Sequence, residues 1–189
     1  MIHTHTHNTF LQYAKPLIKI IELGDQLMDI GQDTQFMRSD EYYRRNGLKI
    51  KSVDIHGKNR ALPIDLSKES DERFEADLLT DFGTVEHVKG LYNALLNCHN
   101  WTKIGGTMIH ANPKTGTYAG HGVSFFTMEF WEQLALECGY HLVEVSEKAP
   151  YSDVNPDKEV IAVLVKLTDK PFISESEFND KLSGFVFPE

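Results

Sequence analysis

The sequence predicts an α/β fold in which a mostly parallel sheet of seven strands carries helices on both faces. Short apolar runs recur along the chain, segments with helical spacing fall between them, and Gly, Pro and Asn mark the joins. Such alternation implies a layered sheet with right-handed crossovers. The 189 residues suit one domain, long enough to bury roughly two thirds of its unfolded surface. Residues 1–17 are expected to form an N-terminal extension and helix, and 168–189 a peripheral segment with a short helix.

From Asn8 or Thr9, TFLQYAK reads as a short helix that must stop near Pro16, because proline lacks the amide that a helix interior needs. LIKIIEL follows as a continuous apolar run, the pattern of a strand covered on both faces. A helix over Thr34 to Arg45 ends at Asn46-Gly47, a left-handed stop, and LKIKSVDI is the second strand. ALPIDLS is a shorter third and FEADLLTDFG the fourth. In TVEHVKGLYNALLNC, Val85, Val88, Leu91 and Leu95 have helical spacing. Gly105-Gly106 then turns the chain into TMIHANP, the fifth strand. A helix over Met128 to Glu137 closes at Gly139, and HLVEVS and EVIAVLVKL are the last two strands, joined by a loop containing Pro150 and Pro156.

Composition narrows the function. With 41% hydrophobic and 25% charged residues, the chain reads as neither disordered nor membrane-embedded, and no apolar run reaches the roughly 20 residues of a spanning helix. No secretory signal is seen, so a cytoplasmic location is expected. A net charge of −9 would repel a phosphate backbone, and no dense basic cluster offsets it, so nucleic acid is not an expected partner. Cys98 and Cys138 read as packed thiols. The alternation His3, His5, His7 has chelating side chains, yet a free terminus gives up ordering entropy to use them, and a mobile tail is the expectation. No metal site is expected anywhere in the chain.

In such a sheet, ligands bind beyond the carboxyl ends of the strands. The first strand ends Glu22-Leu23-Gly24-Asp25, the second at Asp54, the third at Asp65, and the fourth runs into Asp81-Phe82-Gly83-Thr84. Gly24 lets backbone pass close to a ligand. Asp54 is placed to accept both hydroxyls of a ribose. Gly-x-Gly-x-x-Gly, Gly-x-Ser-x-Gly, a Gly-Lys-Ser/Thr loop and His-Glu-x-x-His are all missing, which speaks against dinucleotide oxidoreductases, serine hydrolases, P-loop enzymes and zinc peptidases.

ADLLTDFGTVEHV resembles the post-strand segment of class I S-adenosylmethionine-dependent methyltransferases, whose fold is Rossmann-like. IIELG before it, SVDI between, and FFTMEFWEQLALECGYHLVEV after it extend the resemblance, in order, over about residues 18 to 167. It implies a sheet whose last strand is antiparallel, S-adenosylmethionine as cofactor, and methyl transfer to a small-molecule acceptor. By position it makes Glu22 and Gly24 the methionine-side wall, Asp54 the ribose acceptor, Ile64 and Asp65 the adenine edge, and Phe82, Gly83 and Thr84 the floor beneath the sulfur. The departure lies after Gly24, where the family writes further alternating glycines and this chain writes Asp25-Gln26-Leu27-Met28. S-adenosylmethionine has no pyrophosphate to press against a helix N-terminus, so a wider turn is tolerable, and Gln26 is a candidate donor to the cofactor carboxylate.

GHGVSFFTMEFW resembles the acceptor-side segment of methyltransferases acting on small metabolites or sugars. Candidates for taking the acceptor's proton are His87, His110 and His121, of which His121, between Gly120 and Gly122, is the most exposed by its setting. A methyltransferase-like binding module without transfer activity is the rival reading.

Overall fold

The computed structural model describes residues 1–34, 36–150 and 156–187; residues 151–155 of the loop joining the last two strands, Gln35, and the last two residues lie outside them. Seven strands form the main sheet: β1 (Ile20–Leu23), β2 (Ile50–Asp54), β3 (Leu62–Pro63), β4 (Ala76–Phe82), β5 (Thr102–Pro113), β6 (Tyr140–Lys148) and β7 (Glu159–Lys166). Their spatial order is β3-β2-β1-β4-β5-β7-β6. The pairs from β3 to β5 are parallel, whereas β7 inserts antiparallel between β5 and β6, as the resemblance implies.

Among the described residues five helices flank the sheet: α1 (Thr4–Tyr13), α2 (Ser39–Arg45), α3 (Leu91–Trp101), α4 (Met128–Cys138) and α5 (Glu175–Leu182). Strand alternation divides the core in two. Ile21, Leu79 and Ala162 point into a cluster with Trp101, Phe130, Trp131 and Phe178 of α3, α4 and α5. Their neighbours Ile20, Leu78 and Ile161 face a second cluster with Phe10 of α1 and Tyr43 of α2. Both strand faces are buried, which is why these segments read as unbroken apolar runs. Both cysteines are buried thiols. Among the described residues no helix is long and apolar enough to cross a membrane.

Several boundaries differ from expectation for identifiable reasons. The N-terminal histidines are not a free tail: Ile2–His3 pairs in parallel with Met28–Asp29, α1 starts at Thr4, His5 Nε2 lies 2.6 Å from Glu159 Oε2, and His7 Nδ1 lies 3.0 Å from the Tyr43 hydroxyl. The helix expected from Thr84 breaks into a 3₁₀ turn over Val85–His87 and α3, with Gly90 at the join. A side chain at Gly90 would place Cβ 2.6 Å from the Ser67 carbonyl oxygen. At Gly105-Gly106 the chain bulges rather than turns, because Ala76 pairs with Thr102 and Leu78 already with Thr107. The third strand shrinks to Leu62–Pro63, where proline offers no ladder donor. In the tail, α5 carries a complete capping box between Ser174 and Glu177, and Val186–Phe187 pairs with Phe125–Phe126.

Candidate cofactor and acceptor site

A cavity of about 540 Å³ opens at the carboxyl ends of β1, β2 and β4. Gly24, Asp25 and Gln26 enter it from the end of β1, Asp54 from β2, Ile64 and Asp65 from beyond β3, and Gly83, Thr84 and His87 from beyond β4. Its apolar wall is Val53, Ile55, Ile64, Leu66 and Val88. The residues between the predicted positions, notably Val53, Ile55 and Val88, were not singled out from sequence. Their apolarity marks them only as core: Ile55 is exposed at the sheet edge, Val88 is partly so, and Val53 lines the cavity while buried.

The turn after β1 is built by its own side chains. Gly24 has φ +80° and donates its amide to the Val53 carbonyl at 2.8 Å. A Cβ there would lie 2.6 Å from both Gln26 Nε2 and Thr84 Oγ1, so this glycine is required by the protein's own packing. Gln26 Nε2 donates to Thr84 Oγ1 at 2.9 Å and to the Leu23 carbonyl at 3.3 Å, while its Oε1 accepts from the Met1 amine at 2.8 Å. The amide is therefore fully engaged across the turn, which corrects the candidate donation from Gln26 to a cofactor carboxylate.

Asp54 stands at the cavity rim. Its Oδ1 accepts from the His56 amide at 2.8 Å and its Oδ2 from the Asp25 amide at 3.4 Å. Both acceptor oxygens keep lone pairs to offer a ligand. Asp65 is fixed by Ser67, whose hydroxyl and amide donate to Oδ1, and by Lys68 at 3.1 Å from Oδ2; these contacts hold its carboxyl below the usual range.

Two predicted cofactor residues lie elsewhere. Glu22 projects from the sheet face that α2 covers rather than into the cavity: its Oε2 accepts from the Ser39 and Ser52 hydroxyls at 2.7 and 2.6 Å, and Oε1 has no hydrogen-bond partner. Burial pushes its pKa up to about 7 against the two serine hydrogen bonds. Phe82 belongs to the core facing α1 and α2.

Among the histidines the fold separates one from the other two. His110 is enclosed, with Nδ1 3.0 Å from Asp81 Oδ2 and its ring stacked on Trp131 at a centroid distance of 4.4 Å. It reaches neither cavity nor solvent, so its place as a proton acceptor is corrected to that of a core group. His87 and His121 converge, with ring centroids 4.9 Å apart. Between them lies Glu86, a residue not considered from sequence as a site group, only 1% exposed. Glu86 Oε1 is 3.7 Å from His87 Nε2 and 3.8 Å from His121 Nε2. The Glu86 carboxylate raises the His121 pKa above its ordinary value, outweighing partial burial. Asn112 Nδ2 bridges Glu86 Oε2 at 3.1 Å and Asp81 Oδ2 at 3.0 Å. Asp81 Oδ1 in turn accepts from the Thr84 and Val85 amides and so fixes the turn that carries Glu86.

No family model and no curated protein sequence matches the chain. Solved structures do. The Burkholderia thailandensis 1,6-didemethyltoxoflavin-N1-methyltransferase with bound S-adenosylhomocysteine is similar with TM-score 0.58 and 15% identity, over 87% of this chain and 75% of that one. N-methyltransferase NodS from Bradyrhizobium japonicum WM9 gives TM-score 0.59 and 13% identity over 87% and 96%. The [4+2]-cyclase SpnF gives 0.61 and 8% over 87% and 80%. Strand order, the antiparallel β7 and these neighbours agree: the chain has the Rossmann-like fold of class I S-adenosylmethionine-dependent methyltransferases.

Proposed function

We propose that the protein binds S-adenosylmethionine in the cavity at the ends of β1, β2 and β4 and transfers its methyl group to a small-molecule acceptor. The observation that carries this reading is the open cavity with Asp54 on its rim and an apolar wall of Val53, Ile55, Ile64, Leu66 and Val88. A ribose edge would meet the Asp54 carboxylate, and an adenine ring would pack against the aliphatic wall beside Asp65. The cofactor supplies a methyl group on a sulfonium cation, and the acidic surroundings of the site suit that charge. The chain's own residues align the acceptor, and positioning of this kind can lower a barrier by several kcal/mol. His87, which lines the cavity, and His121, whose ring lies 4.9 Å from it, are the groups that receive the acceptor's proton. Because Glu86 raises the His121 pKa, its neutral, proton-accepting form is favoured only above the ordinary histidine range.

The engaged Gln26 favours one second reading, a binding module of this fold without transfer, since the methionine-side turn is already filled by protein. The structural neighbour known as a [4+2]-cyclase illustrates that the fold hosts other chemistry. A thermal melt with S-adenosylhomocysteine tests the proposal. At a hundred-fold excess over Kd the ligand adds about 2.7 kcal/mol, a rise of roughly 5 to 10 °C for a chain of this size. Asp54→Ala should abolish the shift. No shift for the unmodified protein at millimolar ligand would overturn the cofactor assignment. A shift without product across a panel of hydroxyl and amine compounds would favour the module.

A further inference from the structure

We propose that Glu86, His87 and His121 form a binding site for one divalent transition-metal cation at the rim of the cavity. One carboxylate oxygen and two imidazole nitrogens lie within 4.8 Å of one another. This donor set suits Mn²⁺, Fe²⁺, Co²⁺ or Zn²⁺ better than Mg²⁺ or Ca²⁺, which favour oxygen ligands.

Proximity alone would be weak support, since histidines often stand near carboxylates. The second observation is the state of Glu86. Its side chain is 1% exposed, yet Oε1 has no hydrogen-bond partner and is aimed at the two half-exposed imidazoles. A buried carboxylate oxygen left without a donor is costly, and the cost vanishes when a cation takes it as a ligand. The other oxygen, Oε2, is held by Asn112, which fixes the plane of the carboxylate as a supporting group does for a metal ligand. Asn112 Oδ1 is likewise buried without a partner.

The backbone presets the third ligand. His121 is 35 residues from Glu86 in sequence, yet the Val123 and Ser124 amides both donate to the Glu86 carbonyl, at 2.8 and 3.2 Å. Gly122 packs so closely there that a Cβ would lie 3.0 Å from that carbonyl oxygen and 3.1 Å from Glu86 Cγ. The loop therefore presents His121 to Glu86 without needing an ion to draw it in. Ligand bonds of about 2.1 Å at tetrahedral angles require donors about 3.4 Å apart. The observed 3.7 and 3.8 Å exceed that slightly, a gap that a small rotation of two half-exposed rings closes. Three protein ligands would leave coordination positions for exchangeable ligands, His87 among the three lines the cavity, and a hydroxyl bound to such an ion would lose its proton more easily. The ion and the acceptor's proton compete for the same nitrogens, so the bound ion would replace His121 in that role.

The test is a titration of the metal-free full-length protein with Co²⁺ in the absence of S-adenosylmethionine, read by calorimetry and by the cobalt absorption band in the visible. One ion per chain is expected, weakened at least 30-fold by His121→Ala, whose exposed position leaves folding intact, and by Glu86→Gln. The paired substitution His3→Ala and His5→Ala controls for the N-terminal imidazoles and should leave the affinity within two-fold. Equal affinity of His121→Ala and the unmodified protein would overturn the proposal, as would loss of binding in the N-terminal pair or no binding at millimolar Co²⁺. None of these readouts depends on methyl transfer, so the site stands or falls apart from the enzymatic reading.

Discussion

At the scale of single residues, the protein holds buried polar side chains with their hydrogen bonds made or conspicuously unmade. Glu22, beneath the site rather than in it, is the clearest case. An acid whose pKa rises to about 7 on folding binds more protons in the native state than in the unfolded state between its ordinary value near 4.5 and 7. Stability then falls as pH rises through that window and levels off above it, a loss of roughly 3 kcal/mol. Glu22→Gln should flatten this dependence, so melts at pH 5 and pH 8 should show the variant gaining on the parent only at the higher pH. An equal difference at both would contradict the buried, proton-binding role. Gly24 and Asp54 were legible as strand-end positions, a glycine that lets backbone pass close and an acid that can accept from a ribose, whereas Gly83 and Thr84 came only with the resemblance. The position of Glu86 between two histidines was not, since TVEHV looks like the start of an amphipathic helix and nothing local reveals that His121 returns to meet it. Glu22 and Phe82 were misplaced for a related reason: alternation along a strand fixes which face a residue takes only once the edges of both neighbours are known.

At the scale of elements, α4 shows sequence and structure in agreement. Thr127 caps it, accepting from the Phe130 amide, and Gly139 ends it at φ +69°, both as the residue types favour. Its buried face packs Trp131 against His110 and Phe126, while Leu136 on the other face is exposed. Trp131→Ala should therefore cost about 3 to 5 kcal/mol in urea unfolding, through lost contacts and the cavity left behind. Leu136→Ala on the same helix should change stability by less than about 0.5 kcal/mol. Comparable losses at both positions would mean that the helix is not seated as described. Elements with strong apolar runs, such as β4 and β7, were legible almost to their ends. Those set by distant partners were not: the pairing of Ile2–His3 with Met28–Asp29 converts an apparent tail into structure, and the bulge at Gly105 depends on where β4 begins.

At the scale of the whole molecule, the two cores share the central strands, so the most persistent structure should lie there. Native-state hydrogen exchange should find the amides of β4 and β7 opening only with global unfolding, while α5, mostly solvent-facing, opens at lower free energy. Uniform protection across both would argue against a peripheral tail. The topology also bears on how the chain is made. Because β7 wedges between β5 and β6, a ribosome delivers both flanking ribbons before the piece that joins them. Until Glu159–Lys166 emerges, Thr107–Pro113 presents an open apolar edge to its surroundings. Vectorial synthesis thus leaves the half-built molecule at its stickiest just before the last ribbon of the main sheet zips the two parts shut.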